Sequence, residues 1–412
     1  MRIRPHGLYR ALLTSFISLL LFPLANAQSE TALAYAFTAA WQRHPAAAAF
    51  DERQRSVKAR LTAASAWTPA PPSLEMGARS DRYHRQTGAE EREFGLSMPL
   101  WLPGERTASQ MLAASEAQLL ERQTQSLRLQ LAEQLRDRWW RWQASVNEHS
   151  LARERQAAAA SLRDDMARRY RAGDLSKADL NAASGALAQV ETQLAESESA
   201  LLQARFLLQS LTGRQDDSTN PAIESEPRPD TAFSAVDHPQ WREMAAQAER
   251  AEAEVALVRQ QTRRNPELSL STRRDWAAGS ALPEQTVALA VRIPLGDGPR
   301  HDARLATAQS EALRTRLEAE RLQERTQLEA AMAAAQAASA ERLLQAAGQR
   351  ARMANENRAL FDKSFRLGES DWPTRWRAEL EAFEAERALQ RARIALALSI
   401  SQWRQALGLL PE

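Results

Sequence analysis

A series of landmarks occurs twice in this chain, in the same order and at a nearly constant offset. His44-Pro45 recurs as His238-Pro239, Pro72-Ser-Leu-Glu-Met76 as Pro266-Glu-Leu-Ser-Leu270, and Met98-Pro99-Leu100 as Ile293-Pro294-Leu295. Gly104-Glu-Arg106 recurs as Gly298-Pro-Arg300, and Tyr170-Arg-Ala-Gly-Asp174 as Phe365-Arg-Leu-Gly-Glu369. Every pair is separated by 194 or 195 positions. Proline and glycine at matched joints describe an architectural plan, and a period this long excludes a solenoid in favour of two pseudo-symmetric halves. An enzyme site would more often be one unrepeated constellation.

Residues 1–27 read as a secretory signal: Arg2, Arg4 and Arg10 precede a short apolar core, and Ala25-Asn26-Ala27 is a cleavage pattern that would leave Gln28 first. The apolar core is too short to span a bilayer as a helix. Losing those three arginines takes the formal charge from +2 to −1, so composition gives no case for nucleic acid. The absence of cysteine excludes a disulfide framework, a thiolate metal site and a lipid-modified N-terminal cysteine. Beyond residue 27 charged residues interrupt every apolar stretch, so a membrane-inserted part must be built of strands.

The segments 105–170 and 300–365 each hold 66 residues rich in Ala, Leu, Gln, Glu and Arg, interrupted only by Gly348. They are expected to form helices roughly 100 Å long at about 1.5 Å per residue. Leu127, Leu131 and Leu135 share one helical face, and Trp139 and Trp142 continue it. After Gly173 and Gly368 the chain returns through shorter helices, 175–211 and 376–407. A linker then precedes a helix climbing from an Asp237 cap to residue 264, and the N-terminal helix, 29–66, completes the other half. The acidic linker, with Asp216, Asp217, Glu224, Glu226 and Asp230, is read as solvated.

Ahead of each long helix the period changes to two. Leu74, Met76 and Ala78 alternate with polar neighbours, as do Phe94, Leu96, Met98 and Leu100. Leu268 and Leu270, then Val287, Leu289, Val291, Ile293 and Leu295, repeat the pattern. These are strands with one apolar and one polar face, close to the length that crosses a bilayer when tilted. The stretches 81–89 and 274–283 are hairpin loops. Four strands cannot close a barrel, and an open edge is not tolerated in lipid, so such strands demand oligomerisation.

The joints Leu96-Ser-Met-Pro-Leu100 with Gly104-Glu-Arg106 and Val291-Arg-Ile-Pro-Leu295 with Gly298-Pro-Arg300, with the turns at Tyr170 to Gly173 and Phe365 to Gly368, resemble the TolC family of outer-membrane efflux factors. The resemblance implies a mainly α fold with a small β part, in two repeats of long α-helical hairpins plus β-hairpins. A homotrimer would form one 12-stranded transmembrane β-barrel and a periplasmic α-helical tunnel. The domain plan is a signal peptide (1–27) and a first repeat (28–213; β-hairpin 72–101, helical turn 170–176). A linker (214–236) and a second repeat follow (237–412; β-hairpin 266–295, helical turn 365–373).

By the same resemblance the protein is a passive exit duct in the outer membrane. It would meet outer-membrane lipid, a periplasmic adaptor (membrane fusion protein) and an inner-membrane pump of the resistance-nodulation-division type. Tyr170, Gly173, Asp174, Phe365, Gly368 and Glu369 would lie where the adaptor docks. The shorter chain, the missing cysteine and the His-Pro starts look most like the branch associated with cobalt, zinc and cadmium resistance; drug efflux and type I secretion use the same kind of duct.

The best-known relative has constricting aspartates six and nine residues after the second glycine. Here Thr374 and Arg377 occupy those positions, with Trp372-Pro373 before them, while Asp179 keeps an acid in the first half. Asp179, Thr374 and Arg377 are therefore the candidate periplasmic entrance, with Asp179 expected to pair with Arg375 or Arg377. There is no phosphate loop, no H-E-x-x-H and no G-x-S-x-G, and the histidines at 44, 84, 149, 238 and 301 lack metal-ligand spacing. No enzyme, cofactor or metal site is expected. Trp139, Trp140 and Trp142 are read as helix packing, and Trp101 and Trp276 as belt residues. The reading from another class is a soluble periplasmic coiled-coil adaptor or tether; adaptors, however, carry one helical hairpin flanked by β-rich domains, and this chain has two.

Overall fold

The computed structural model describes residues 31–83, 87–214, 223–229, 234–277, 282–296 and 298–412. The signal segment, His84 and Asp216, Asp217 and Asp230 of the linker lie outside them. The first described helices are α1 (Ala32–Arg43), α2 (Pro45–Ala48) and α3 (Phe50–Ala64). The expected single helix over 29–66 is thus broken at His44-Pro45. Proline offers no N–H and pushes its predecessor out of the helical region, so His44 sits at φ −70°, ψ 131°. His238 before Pro239 adopts φ −66°, ψ 129°, and the duplication is visible in the backbone itself.

Two hairpins dominate: α4 (Glu105–Ala172) with α5 (Lys177–Thr212), and α7 (Gly298–Arg366) with α8 (Trp372–Ala406). The long arms have 68 and 69 residues, about 100 Å each. Helix α6 (Pro239–Gln260) packs against both long arms, α3 packs on α4, and α1 on α4 and α5. Asp237 does not cap α6; it lies in a 3-10 turn (Ala235–Asp237) and pairs with Arg242. On α7, buried Ala330, Ala333, Ala337 and Ala340 repeat at spacings of three and four, the coiled-coil interval. Ala351 and Ala354 meet Ala382 and Ala385 of α8, where small side chains let the two backbones come close.

The main core lies where the tryptophans fall. Trp139, Trp140 and Trp142 of α4 are buried among Leu33 and Phe37 of α1, Leu208 of α5 and Ile394 of α8. Trp140 Nε1 donates to Ser401 Oγ at 2.9 Å, joining the first hairpin to the second. Each large side chain fully buried here contributes about 1.5–3 kcal/mol. Beside this core Glu226, read from sequence as solvated, is only 2% exposed. Its carboxylate accepts from Arg136 Nη2 and Nε at 2.6 and 2.9 Å and lies 3.3 Å from Arg404 Nε. Burial of a charge requires pairing of this kind, and it fastens the linker to both hairpins. Glu224 stays exposed.

One antiparallel sheet stands before the long arms, in the order β1 (Ser73–Ser80), β2 (Glu90–Pro99), β3 (Glu267–Trp276), β4 (Glu284–Arg292). The β2–β3 pairing joins the two halves. Register aligns Leu74, Leu96, Leu270 and Leu289 in one row, and Met76, Phe94, Thr272 and Val287 in the next. These rows share a face that no other element covers: Leu74, Met76, Val287 and Leu289 are 66–71% exposed. The opposite face is polar, with Glu91 between Arg79 and Arg273, each at 3.1 Å. The outer edges of β1 and β4 have no strand partner among the described residues. No described helix is long and apolar enough to cross a membrane.

Candidate functional site

The helical turns form two copies of one motif. Gly173 ends α4 at φ 87°; its N–H reaches the Tyr170 carbonyl (3.1 Å) and the Asp174 N–H the Arg169 carbonyl (3.0 Å). At Gly368, φ 79°, the corresponding bonds run to Phe365 (3.2 Å) and from Glu369 to Ser364 (3.0 Å). This is the Schellman arrangement, in which a left-handed residue satisfies the last helical carbonyls. A Cβ on either glycine would meet nothing within 4 Å. Glycine is therefore required here by its backbone conformation and not by close contact.

A small core joins the turns. Met166, Leu175 and Leu180 of the first hairpin end pack with Phe365 and Trp372 of the second. Phe365, grouped by sequence with the docking turns, is buried, its ring held between the Arg169 and Arg375 guanidiniums at 4.8 and 4.9 Å. Trp372 meets Phe365 edge-on and stacks on Trp376 at 5.8 Å. Tyr170, Gly173, Asp174, Gly368 and Glu369 remain outside this core, on the surface of the two turns. Sequence reasoning missed Arg169, Asp362, Trp376 and the role of Trp372; the crowding of aromatic and arginine residues around 365–377 was the available signal.

Two of the three entrance candidates, Asp179 and Thr374, are used locally. Asp179 forms a capping box with Ser176: each backbone N–H reaches the other's side chain at 3.2 Å. Within the chain it pairs with neither expected arginine, and Arg375 is held by Asp362 at 2.7 Å. Trp372-Pro373 opens α8, with Asp371 as N-cap accepting from the Thr374 N–H at 3.1 Å. Hydrogen bonds from the Thr374 side chain and backbone hold the Asp371 carboxyl below its usual range, and the Arg377 charge adds to this. Arg377 itself is exposed.

Above the turns, α4 and the second hairpin part around a groove of about 910 Å³. Arg155, Arg358, Arg375, Trp376 and Phe383 line it, with Arg155 over the Phe383 ring at 4.5 Å. Burial and the nearby Arg387 charge lower the Arg155 pKa. Next along α4, Glu148 takes Arg387 and Arg391 of α8 at 2.7 and 2.5 Å.

His44 and His149 serve local structure. His44 Nδ1 accepts from Ala46 N at 3.2 Å while its ring stacks on Trp41, and His149 lies 3.3 Å from Ser197 Oγ. Among the described residues no group of three or more His, Asp or Glu is placed to hold a metal ion. Trp101 Nε1 donates to the Ala66 carbonyl at 3.1 Å.

No protein-family model and no curated protein matches the sequence. Solved structures do match the fold. The structure of CusC, described for conformational changes accompanying folding and transmembrane channel formation, superimposes with a TM-score of 0.76 at 14% identity, over 92% of this chain and 93% of that one. The outer membrane protein VceC from Vibrio cholerae gives 0.71 at 17% identity, over 93% and 97%. The open state of the Neisseria gonorrhoeae MtrE outer membrane channel gives 0.73 at 16% identity, over 92% and 89%. The chain thus shares, along nearly its whole described length, the fold of proteins that form outer-membrane channels.

Proposed function

We propose that three copies of this chain form the outer-membrane channel of a tripartite efflux system, a passive duct and not an enzyme. The observation that carries this reading is the sheet: an exposed apolar face, a polar opposite face and two unpaired edges, set on helices about 100 Å long. Backbone groups at an open edge cannot be left unsatisfied in lipid. Three four-stranded sheets closed edge to edge give a twelve-stranded barrel with apolar rows toward lipid and polar rows toward the lumen. That polar face carries Glu75, Glu91, Glu93, Glu267, Asp275 and Glu284 against Arg79, Arg273 and Arg292, a net −3 per chain.

On this reading the helical hairpins extend through the periplasm and the turns at Gly173 and Gly368 meet a periplasmic adaptor, which links the duct to an inner-membrane pump of the resistance-nodulation-division type. Arg377 would place a cationic ring at the entrance beside Thr374. Heavy-metal cations are the proposed cargo, on the resemblance of the shorter chain, the missing cysteine and the His-Pro starts; the His44 ring caps α2, and His238 stands at the N-cap position of α6 without a side-chain cap bond. Cross-linking of detergent-extracted protein should stop at three chains, and the same material should conduct ions in planar bilayers. A stable monomer with its full strand content, or release from washed membranes by salt alone, would refute the channel in favour of a soluble adaptor or tether.

A further inference from the structure

The outward rows of the sheet end in charge. Beyond the row Met76, Phe94, Thr272, Val287 comes the row Ala78, Arg92, Arg274, Gln285. Two residues along a strand is about 7 Å, so these guanidiniums stand one step past the apolar band, on the same face and toward the loops. Arg92 and Arg274 are directly opposite each other and both exposed. Like charges in that position repel. Arg92 is partly compensated by Glu90, 2.7 Å away, and lies over the Trp276 ring at 5.3 Å. Arg274 has no acidic partner among the described residues. Glu90 and Trp276 face each other across the same strands, so the charged groups of this face, Glu90, Arg92 and Arg274, sum to +1.

We propose that Arg92 and Arg274, with Trp276 beside them, bind the phosphate of an anionic membrane lipid at the loop end of the barrel. The inference rests on the reading that the apolar face meets lipid. A phosphate between the two guanidiniums would remove their repulsion, and each planar fork can donate two parallel hydrogen bonds to its oxygens. Long arginine stems reach from apolar surface to a charged boundary, and an indole suits the same depth. The source is a lipid headgroup and not free phosphate. The site is continuous with exposed apolar rows, and two solvated guanidiniums alone hold a small anion weakly. A trimer would carry three such sites.

The test uses the purified full-length protein in neutral maltoside micelles, titrated calorimetrically with a diphosphorylated glycolipid (lipid A), with its dephosphorylated form, and with inorganic phosphate. Wild type and Arg273→Gln, altered on the opposite face, should bind the diphosphorylated lipid at least about tenfold more tightly than the dephosphorylated one. The double variant Arg92→Gln/Arg274→Gln should lose that factor, and Arg274→Lys, which keeps charge without the fork, should lose part of it. Circular dichroism with unchanged helix content confirms that the variants fold; should the double variant fail this, Arg274→Lys alone decides. Equal binding of both lipids, unchanged binding by the variants, or full competition by inorganic phosphate overturns the site while leaving the channel intact. A wild-type protein that stays in solution without detergent and binds neither lipid overturns the membrane reading and the site with it.

Discussion

Replacing Glu226 with alanine removes the carboxylate that Arg136 and Arg404 share at the centre of the molecule. Removing one partner of a buried ion pair costs about 3–5 kcal/mol, because the remaining charge is left without compensation. Here the lower end applies. Arg136 would keep Gln405 Oε1 at 2.5 Å and the Leu409 carbonyl at 3.1 Å. Arg404 would keep the Pro227 and Leu410 carbonyls at 3.2 and 3.3 Å, and the Glu412 side-chain carboxylate at 3.0 Å. The expected loss is therefore about 3 kcal/mol for Glu226→Ala and about 2 kcal/mol for Glu226→Gln, which retains one acceptor oxygen. Urea unfolding in detergent, followed by far-ultraviolet circular dichroism, measures both. Hydrogen exchange should show residues 223–229 losing protection first. In combination with Arg136→Met the two losses should be far from additive, since the residues act as one unit. A cost for Glu226→Ala below about 1 kcal/mol would place the pair with solvent-exposed salt bridges and refute the argument from burial.

Three further outcomes are expected. Burial lowers the His238 pKa, only partly offset by a hydrogen bond with the Gln405 backbone, so the folded state holds the ring neutral. Its contribution is complete above the ordinary histidine value of about 6.5 and is lost as pH falls through the lowered one; the fall in unfolding free energy between about pH 7.5 and pH 5.5 should shrink in His238→Asn, and an equal fall would exclude His238. Valine at both Gly173 and Gly368 should cost about 1–2 kcal/mol per turn through left-handed strain and abolish efflux in a growth assay while trimers persist; full efflux would remove the turns from the docking site. Glu75→Gln/Asp275→Asn/Glu284→Gln cancels the net charge of the polar sheet face and should reduce cation preference in bilayer reversal potentials, whereas unchanged potentials would mean that this face does not line the pore.

Much of the architecture is legible because it depends on local pattern. The change of period from two to a helical repeat marks β2 to α4 and β4 to α7, and Gly173 and Gly368 mark the turns because few other residues tolerate their φ. His44-Pro45 was legible as a boundary but not as a break inside a helix, which needed the consequence of proline for its predecessor. Glu226 was misread because its partner Arg136 lies 90 residues away and composition makes an acidic, proline-rich stretch look solvated. The burial of Phe365 was hidden for a similar reason. The motif that placed it at a turn says nothing of Arg169 and Arg375, which arrive from other helices to cover the ring.

At the other end of the long arm, Glu105 is 2% exposed and has no cationic partner among the described residues. Its carboxylate accepts from the Leu102 N–H at 3.0 Å, Gln261 Nε2 at 2.9 Å and Asn265 Nδ2 at 2.6 Å. The bonds from Gln261 and Asn265 come from the stretch that leads into β3, so the first repeat leaves the sheet at the point where the second approaches it. The geometry is that of a lever with its bearing at Glu105. An angular play of one degree at the base of an arm about 100 Å long moves its far end by about 1.7 Å, more than half the length of a hydrogen bond. The positional accuracy with which the Tyr170 to Asp174 turn is presented to anything beyond it is therefore set in part at the opposite end of α4, by three hydrogen bonds to one carboxylate, alongside the packing of α4 on its neighbours.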